Sequence, residues 1–271
     1  MSGPRQYQVE AIVVGHVVVG EKDKIVTLFT REQGKIRAIA RGSLRPGSSL
    51  GPCVEPLTRA RFYCVRRRSL DLIAQAVPLA SYGSLKRELW PMACGLYMAE
   101  LIDSSTMEGV PHQALYELVL GILGRFDEGE TDESLLRYFE VCLLDQIGFR
   151  PSLQDCVECG TRLRPVDNAL SPVLGGAVCP ECAARVPDAR PLSLDALKVL
   201  RLWLDSSLDI ASRVRINGPL AFELDTHVYR LLLGVLQKEV RSRGWLSRLK
   251  QEGLLTSSTG ASTIASRFES Q

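Results

Sequence analysis

Apolar and polar positions alternate in the first third of the chain, and the period lengthens to that of helices beyond it. Tyr7, Val9, Ala11 and Val13 alternate with Gln8 and Glu10, the run stays apolar to Val19, and a turn at 20–23 leads into a second strand, Lys24 to Thr30. Glu32-Gln33-Gly34 reads as a tight hairpin turn, with Gly34 free to take positive φ. The strand that follows sets Lys35, Arg37, Ile39 and Arg41 on one face and Ile36, Ala38 and Ala40 on the other. A Gly/Pro/Ser-rich stretch at 42–56 predicts an exposed loop. Leu57 to Arg66 then alternates again, with Arg59, Arg61 and Tyr63 opposite Ala60, Phe62 and Cys64. A turn at Arg66-Arg67-Arg68-Ser69 and a fifth strand, Leu70 to Val77, complete the pattern. Five short antiparallel strands without a crossover helix predict a small closed barrel of the oligonucleotide-binding (OB) type, with an SH3-like barrel as the alternative.

Beyond Pro78 the apolar spacing is helical. Ser84 is placed to cap a short helix to Trp90, Pro91 suits the first turn of a helix to about Ile102, and Pro111 opens another to Phe126. The acidic run 127–133 breaks the pattern, which resumes from Leu135 to Ile147 and stops at Gly148. After a cysteine-bearing stretch, Ser193 is an N-cap for a helix to about Leu208, and Leu220 to about Arg243 reads as the last long amphipathic helix. Eight of the sixteen residues from Thr256 to Gln271 are Ser or Thr, which predicts a disordered tail. The expected architecture is α+β and multidomain: an OB barrel over 1–80, a helical domain in two parts, 81–150 and 191–250, a four-cysteine module over 151–190 inserted between them, and a tail from 251.

That module carries the most specific signal. Cys156 and Cys159 form one C-x-x-C pair, Cys179 and Cys182 another, and the nineteen residues between them include Gly160, Pro165, Pro172, Gly175 and Gly176. Two such turns joined by a flexible excursion bring four thiolates to one ion, for which zinc fits best. Four thiolates close the coordination sphere, so the ion's task is to hold the segment folded. The alternative of two disulfides needs an oxidising compartment, and residues 1–10 have no signal-peptide core. Cys53, Cys64, Cys94 and Cys142 have no partner spacing and read as small buried apolar residues. No apolar run is long enough for a membrane helix, and a cytoplasmic protein is expected.

The chain's net charge of +2 conceals a division. Residues 1–90 hold 15 Lys/Arg against 7 Asp/Glu, while residues 91–150 hold 3 against 11. A basic barrel points to a polyanion, most often nucleic acid. Lys35, Arg37, Arg41, Arg59 and Arg61 would track phosphates and Tyr63 would stack on a base; Arg45, Arg66, Arg67 and Arg68 in the loops, with Lys22, Lys24 and Arg31, would extend the track. The competing readings are solvated charges on an ordinary sheet, an adaptor whose barrel takes an acidic peptide, and a zinc-containing DNA-processing enzyme. The enzyme reading lacks a motif: residues 42–49 imitate a phosphate loop but place Ser48 where its Lys belongs, there is no H-E-x-x-H, and His16, His112 and His227 are scattered. His227 with Glu223 reads as a surface pair on a helix.

Two runs carry a family resemblance. The opening Glu10-Ala11-Ile12-Val13-Val14, Gly20-Glu21, Ile25 to Thr30 and Gly34-Lys35-Ile36, and the central Ile147-Gly148-Phe149-Arg150-Pro151-Ser152-Leu153 leading into Cys156 and Cys159, with Gly175-Gly176 before Cys179 and Cys182, resemble the bacterial recombination mediator family RecO over residues 8–240. The resemblance implies an N-terminal OB-fold, a helical domain and an inserted zinc module. It also implies a non-enzymatic role in the RecF pathway of recombinational repair, near the nucleoid. Members bind single- and double-stranded DNA, anneal complementary strands, engage the acidic tail of single-strand binding protein and act with RecR to load RecA. Many relatives lack part of the cysteine set that is complete here.

Overall fold

A computed structural model of the chain describes residues 5–216 and 218–251, so the tail expected from Thr256 lies outside the described residues. Five strands close a barrel: β1 (Gln6–Val19), β2 (Asp23–Thr30), β3 (Gly34–Ala40), β4 (Arg59–Val65) and β5 (Asp71–Ala80), in the order β1-β2-β3-β5-β4 and back to β1. All pairs are antiparallel except β3 with β5, which meet in parallel at Ala38–Asp71 and Ile39–Leu72. This order and closure are those of an OB-fold.

The alternation in the sequence sorts side chains as the pleat requires. Val9, Ala11, Val13, Val26, Leu28, Ala38, Ala40, Ala60, Phe62, Cys64 and Ile73 fill the barrel, and the short 3-10 turn Pro52–Val54 closes it with Cys53 and Val54. What the alternation does not reveal is the cover on the outer face. Ile12, Val14 and Phe29 point outward and belong to the core of the helical part, with the Phe29 ring 5.9 Å from that of Tyr116. The barrel's β1–β2 side is thereby packed on helices. Gly34 (φ +63°) fits this seam because any Cβ there would stand 1.9 Å from the carbonyl oxygen of Val110.

The helices are α1 (Gly83–Arg87), α2 (Leu89–Ser105), α3 (Gln113–Asp127), α4 (Glu133–Gln146), the one-turn α5 (Pro180–Ala183), α6 (Leu194–Asp205), α7 (Leu208–Ala211), α8 (Gly218–Leu236) and α9 (Arg241–Gln251). Ser193 caps α6 by accepting from the Ala196 amide at 3.1 Å, as its position predicts. Ser84 is not a cap: the Asp127 carboxylate accepts from the Ser84 and Leu85 amides at 2.8 and 2.9 Å, so a side chain from α3 satisfies the start of α1. The last long helix is two, because Gln237 takes φ +52° and the chain re-enters as α9. Asp132 caps α4 through the Ser134 amide at 2.8 Å.

One charged side chain lies at the centre of the helices. Arg137 is fully buried, 2.7 Å from Glu140 and 2.5 Å from Asp225. Arg243 and Lys250 of α9 reach the same Asp225, and Lys250 also reaches Glu133. Tyr97 of α2 donates to Glu140 at 2.6 Å. Four helices therefore converge on one ionic cluster.

A second sheet, β6 (Asn168–Ser171), β7 (Gly176–Val178) and β8 (Arg190–Leu192), has the order β7-β6-β8. Leu153, Leu163, Leu170, Val178, Val186 and Leu192 join the helical core. The module is thus fused to the helices along its length. His227, expected at the surface with Glu223, is buried: its Nε2 lies 2.8 Å from the Pro191 carbonyl, while Glu223 accepts from the amide and hydroxyl of Ser193. Burial lowers the pKa of His227, so the neutral ring donates to that carbonyl.

Candidate nucleic-acid interface and four-thiol centre

The cations expected to form one surface separate into three groups. Lys35 and Arg59 face the helices. Lys35 is buried, 3.1 Å from the Asp103 carboxylate and donating to the Asp103 carbonyl; Arg59 donates to Glu10 through Nε and Nη2 at 2.8 and 2.5 Å, beside Tyr116. Both were grouped with the exposed arginines by alternation, yet the seam with α2 and α3 covers this end of their strands. Lys24 is buried against Glu55 at 2.8 Å, and Arg31 pairs with Glu117 at 2.9 Å.

A second group gathers at the other end of the barrel. Arg37 and Arg41 are exposed on and just after β3. The parallel β3–β5 register sets Arg37 beside the Arg66–Leu70 turn that enters β5. The loop after β3 is tied back to the β1–β2 turn, Gly42 donating to the Asp23 carboxylate at 2.7 Å and Leu44 to the Lys22 carbonyl at 3.0 Å, which brings Arg41 and Arg45 next to Lys22. Among the described residues, Lys22, Arg37, Arg41, Arg45, Arg66, Arg67 and Arg68 make no ion pair. Of the acids adjoining them along the chain, Asp71 accepts from the Tyr7 hydroxyl and the Arg67 amide, Asp23 accepts from the Gly42 amide, and Glu21 flanks Lys22. The result is an excess of positive charge, seven cations against Glu21, Asp23 and Asp71, formed by β3 and the β1–β2 and β4–β5 loops, where OB barrels present their ligand surface.

A third group is Arg61 and Tyr63 on the outer face of β4, around the barrel from β3. Tyr63 is 36% exposed and Arg61 half-buried.

The four cysteines converge as their spacing predicts: the sulfurs of Cys156, Cys159, Cys179 and Cys182 all lie within 4.8 Å of one another. The chain turns twice to achieve this. Gly160 donates to the Cys156 carbonyl at 2.8 Å in the first turn, and Cys182 to the Cys179 carbonyl at 3.1 Å in the second. Gly176 lets them approach, since a Cβ there would meet the Ser152 carbonyl oxygen at 2.4 Å and Val157 at 2.5 Å. Tetrahedral thiolates about 2.3 Å from an ion stand about 3.8 Å apart, and the Cys159 and Cys179 sulfurs are 3.9 Å apart. The donor set fits a soft or borderline metal. Two sulfurs accept hydrogen bonds that favour the thiolate, the Cys179 amide donating to Cys156 at 3.3 Å and Arg185 to Cys182 at 3.1 Å, while burial pushes the Cys179 and Cys182 thiols up. The Thr161 hydroxyl holds the Cys159 thiol down at about 6.

Comparison with known proteins agrees with both parts of the fold. Residues 1–82 match the family description recombination protein O, N terminal, and residues 88–244 match recombination protein O, C terminal. The chain is 36% identical over 247 residues to a protein of Symbiobacterium thermophilum named DNA repair protein RecO, covering 90% of this chain and 98% of that one. Proteins of the same name from Roseiflexus sp. and Desulforudis audaxviator are 32% and 35% identical, covering 98% and 90% of this chain and 94% and 98% of theirs.

Proposed function

The chain belongs to the recombination protein O family, and from that premise we propose that it is a DNA-binding mediator of recombinational repair. It holds single- and double-stranded DNA, anneals complementary strands without covalent chemistry, and with RecR helps RecA onto strands coated by single-strand binding protein, whose acidic tail it engages. The observation that carries this reading is the excess positive charge of Lys22, Arg37, Arg41, Arg45 and Arg66 to Arg68, which make no ion pair among the described residues, at the ligand end of an OB barrel. Two strands repel through their phosphates; a cationic surface that releases their counterions lowers that repulsion and needs no nucleotide hydrolysis. One zinc ion on Cys156, Cys159, Cys179 and Cys182 completes the reading. With four protein ligands it has no open position for water or substrate, so what it supplies is the fold of the module.

Binding to single strands of arbitrary sequence is expected to weaken steeply with salt. The combined Arg37→Glu, Arg41→Glu and Arg66→Glu variant is expected to lose affinity at least tenfold at 0.1 M salt and to flatten the slope of log affinity against log salt by about 2, at about 0.7 per phosphate contact. Lys35→Ala and Arg59→Ala are expected to lower thermal stability and leave that slope alone. Fluorescence anisotropy across a salt series checks both; a wild-type affinity indifferent to salt overturns the proposal. Annealing of complementary strands is expected without ATP, and a requirement for ATP would revive an enzymatic reading.

A further inference from the structure

The β1–β4–β5 face carries chemistry that neither the helical seam nor the cationic end uses. Register pairs Gln8 with Tyr63 and Tyr63 with Gln75, so the three side chains stand in one row across three strands, with Gln6 beside them. Together with Tyr7 they line a cavity of about 520 Å³, within the range of small-ligand sites. All three glutamines are exposed, and among the described residues neither their carboxamides nor the Tyr63 hydroxyl has a hydrogen-bond partner. A solvated barrel face is ordinarily covered with Lys and Glu; three free amides around an exposed ring are a different composition.

We infer that this face is a nucleobase pocket, in which one unpaired base of a bound single strand stacks on Tyr63 and meets the carboxamides of Gln8 and Gln75 with its edge. The inference deepens the proposed function and rests on it. The chemistry favours a base over other occupants. An aromatic ring stacks on any base, and a carboxamide offers both donor and acceptor, the pattern that base edges present. The barrel is closed and β4 is paired on both sides, so no peptide can add here as a strand. Arg66, in the cationic β4–β5 turn, directly follows Val65 of the pocket lining, and its guanidinium lies 5.1 Å from the centre of the Tyr7 ring. The Asp71 carboxylate accepts from the Tyr7 hydroxyl at 2.6 Å and holds that ring against the barrel core beneath the row.

The test compares an oligothymidylate with an abasic oligonucleotide of the same length and phosphate count, by anisotropy on the full chain. The wild type is expected to prefer the oligothymidylate about fivefold or more, the lower end of what one stacked base contributes. Tyr63→Ala is expected to erase the preference while keeping the abasic affinity and its salt slope; Tyr63→Phe, which keeps the ring, retains it and guards against a folding defect in the alanine variant. The Gln8→Leu, Gln75→Leu double variant is expected to lose at least half of the preference. Equal wild-type affinity for both oligonucleotides, or a preference that survives Tyr63→Ala, overturns the pocket and leaves the cationic track standing. Binding to neither oligonucleotide removes both proposals. Free thymidine monophosphate is expected to compete only near millimolar concentration, since one base without its strand contributes little; competition at micromolar concentration would mark a mononucleotide site and overturn the assignment to a strand.

Discussion

Replacing Arg137 with alanine is expected to destabilise the protein by about 3–5 kcal/mol, the largest effect of any single exchange in the helical part. The variant leaves Glu140 fully buried with no guanidinium and deprives Asp225 and Glu133 of a shared partner. In a chain of this size the thermal midpoint should fall on the order of 10 °C, as calorimetry can measure. Arg137→Met combined with Glu140→Gln removes both charges, leaves the buried Tyr97 hydroxyl an acceptor and is expected to recover most of that loss, because Asp225 keeps Arg243 and Lys250. No recovery in the double variant would show that packing, and not the unpaired charge, sets the cost. The same cluster gives the fold an acid limit. Burial alone would raise the Asp225 pKa, but Arg137, Arg243 and Lys250 outweigh it and hold the carboxyl at about 2. A carboxyl depressed below its ordinary value of about 3.9 contributes stability that is complete above that pH and is lost as the pH falls from about 4 towards 2. Glu140, which burial shifts upward, takes its proton before that window. Asp225→Asn should therefore show a shallower decline of thermal midpoint between pH 4 and pH 2 than the parent chain.

Loss of the four-thiol centre is expected to have an effect of comparable size but confined to one region. Chelation, or the pair of exchanges Cys159→Ser and Cys182→Ser, should open the segment between Gln154 and Val186 to proteolysis, because an ion held by the four thiols would offset the ordering of its turns. The barrel should stay folded and keep its salt-dependent affinity for single strands. The flanks of the module are anchored without an ion, by Arg201 donating to the Leu153 carbonyl at 2.9 and 2.6 Å and by Arg230 donating to the Asp188 carbonyl at 2.8 Å. Cleavage is thus expected inside the module and not at its ends. Metal analysis should find about one equivalent, and less than about half would count against the centre.

The barrel was legible in the sequence because a pleated strand sorts side chains with period two, and that period is visible from Tyr7 to Ala76. The four thiols were legible because their spacing encodes a shape. Other features depended on contacts between distant residues. Alternation put Lys35 and Arg59 on the outer face correctly, but it carries no record of what lies against that face; the covering residues, Asp103 and Tyr116, come from α2 and α3. The break between α8 and α9 rests on one residue with positive φ and no glycine, so the apolar pattern runs through it. Arg137 and His227 look like surface residues in any window, and only the packing of α4 and α8 buries them. The row of Gln8, Tyr63 and Gln75 joins positions on three strands, which is why Tyr63 could be singled out from sequence and its two neighbours could not.

The outward-facing Ile12, Val14 and Phe29 determine from which directions this molecule can be approached. Their burial fastens part of β1 and the end of β2 to the helices and leaves β3, the β1–β2 and β4–β5 turns and the outer face of β4 open to solvent. If the protein anneals strands as proposed, the second strand would arrive over a fixed platform, and the rate should follow the collision of the strands and not any closing of the protein around them.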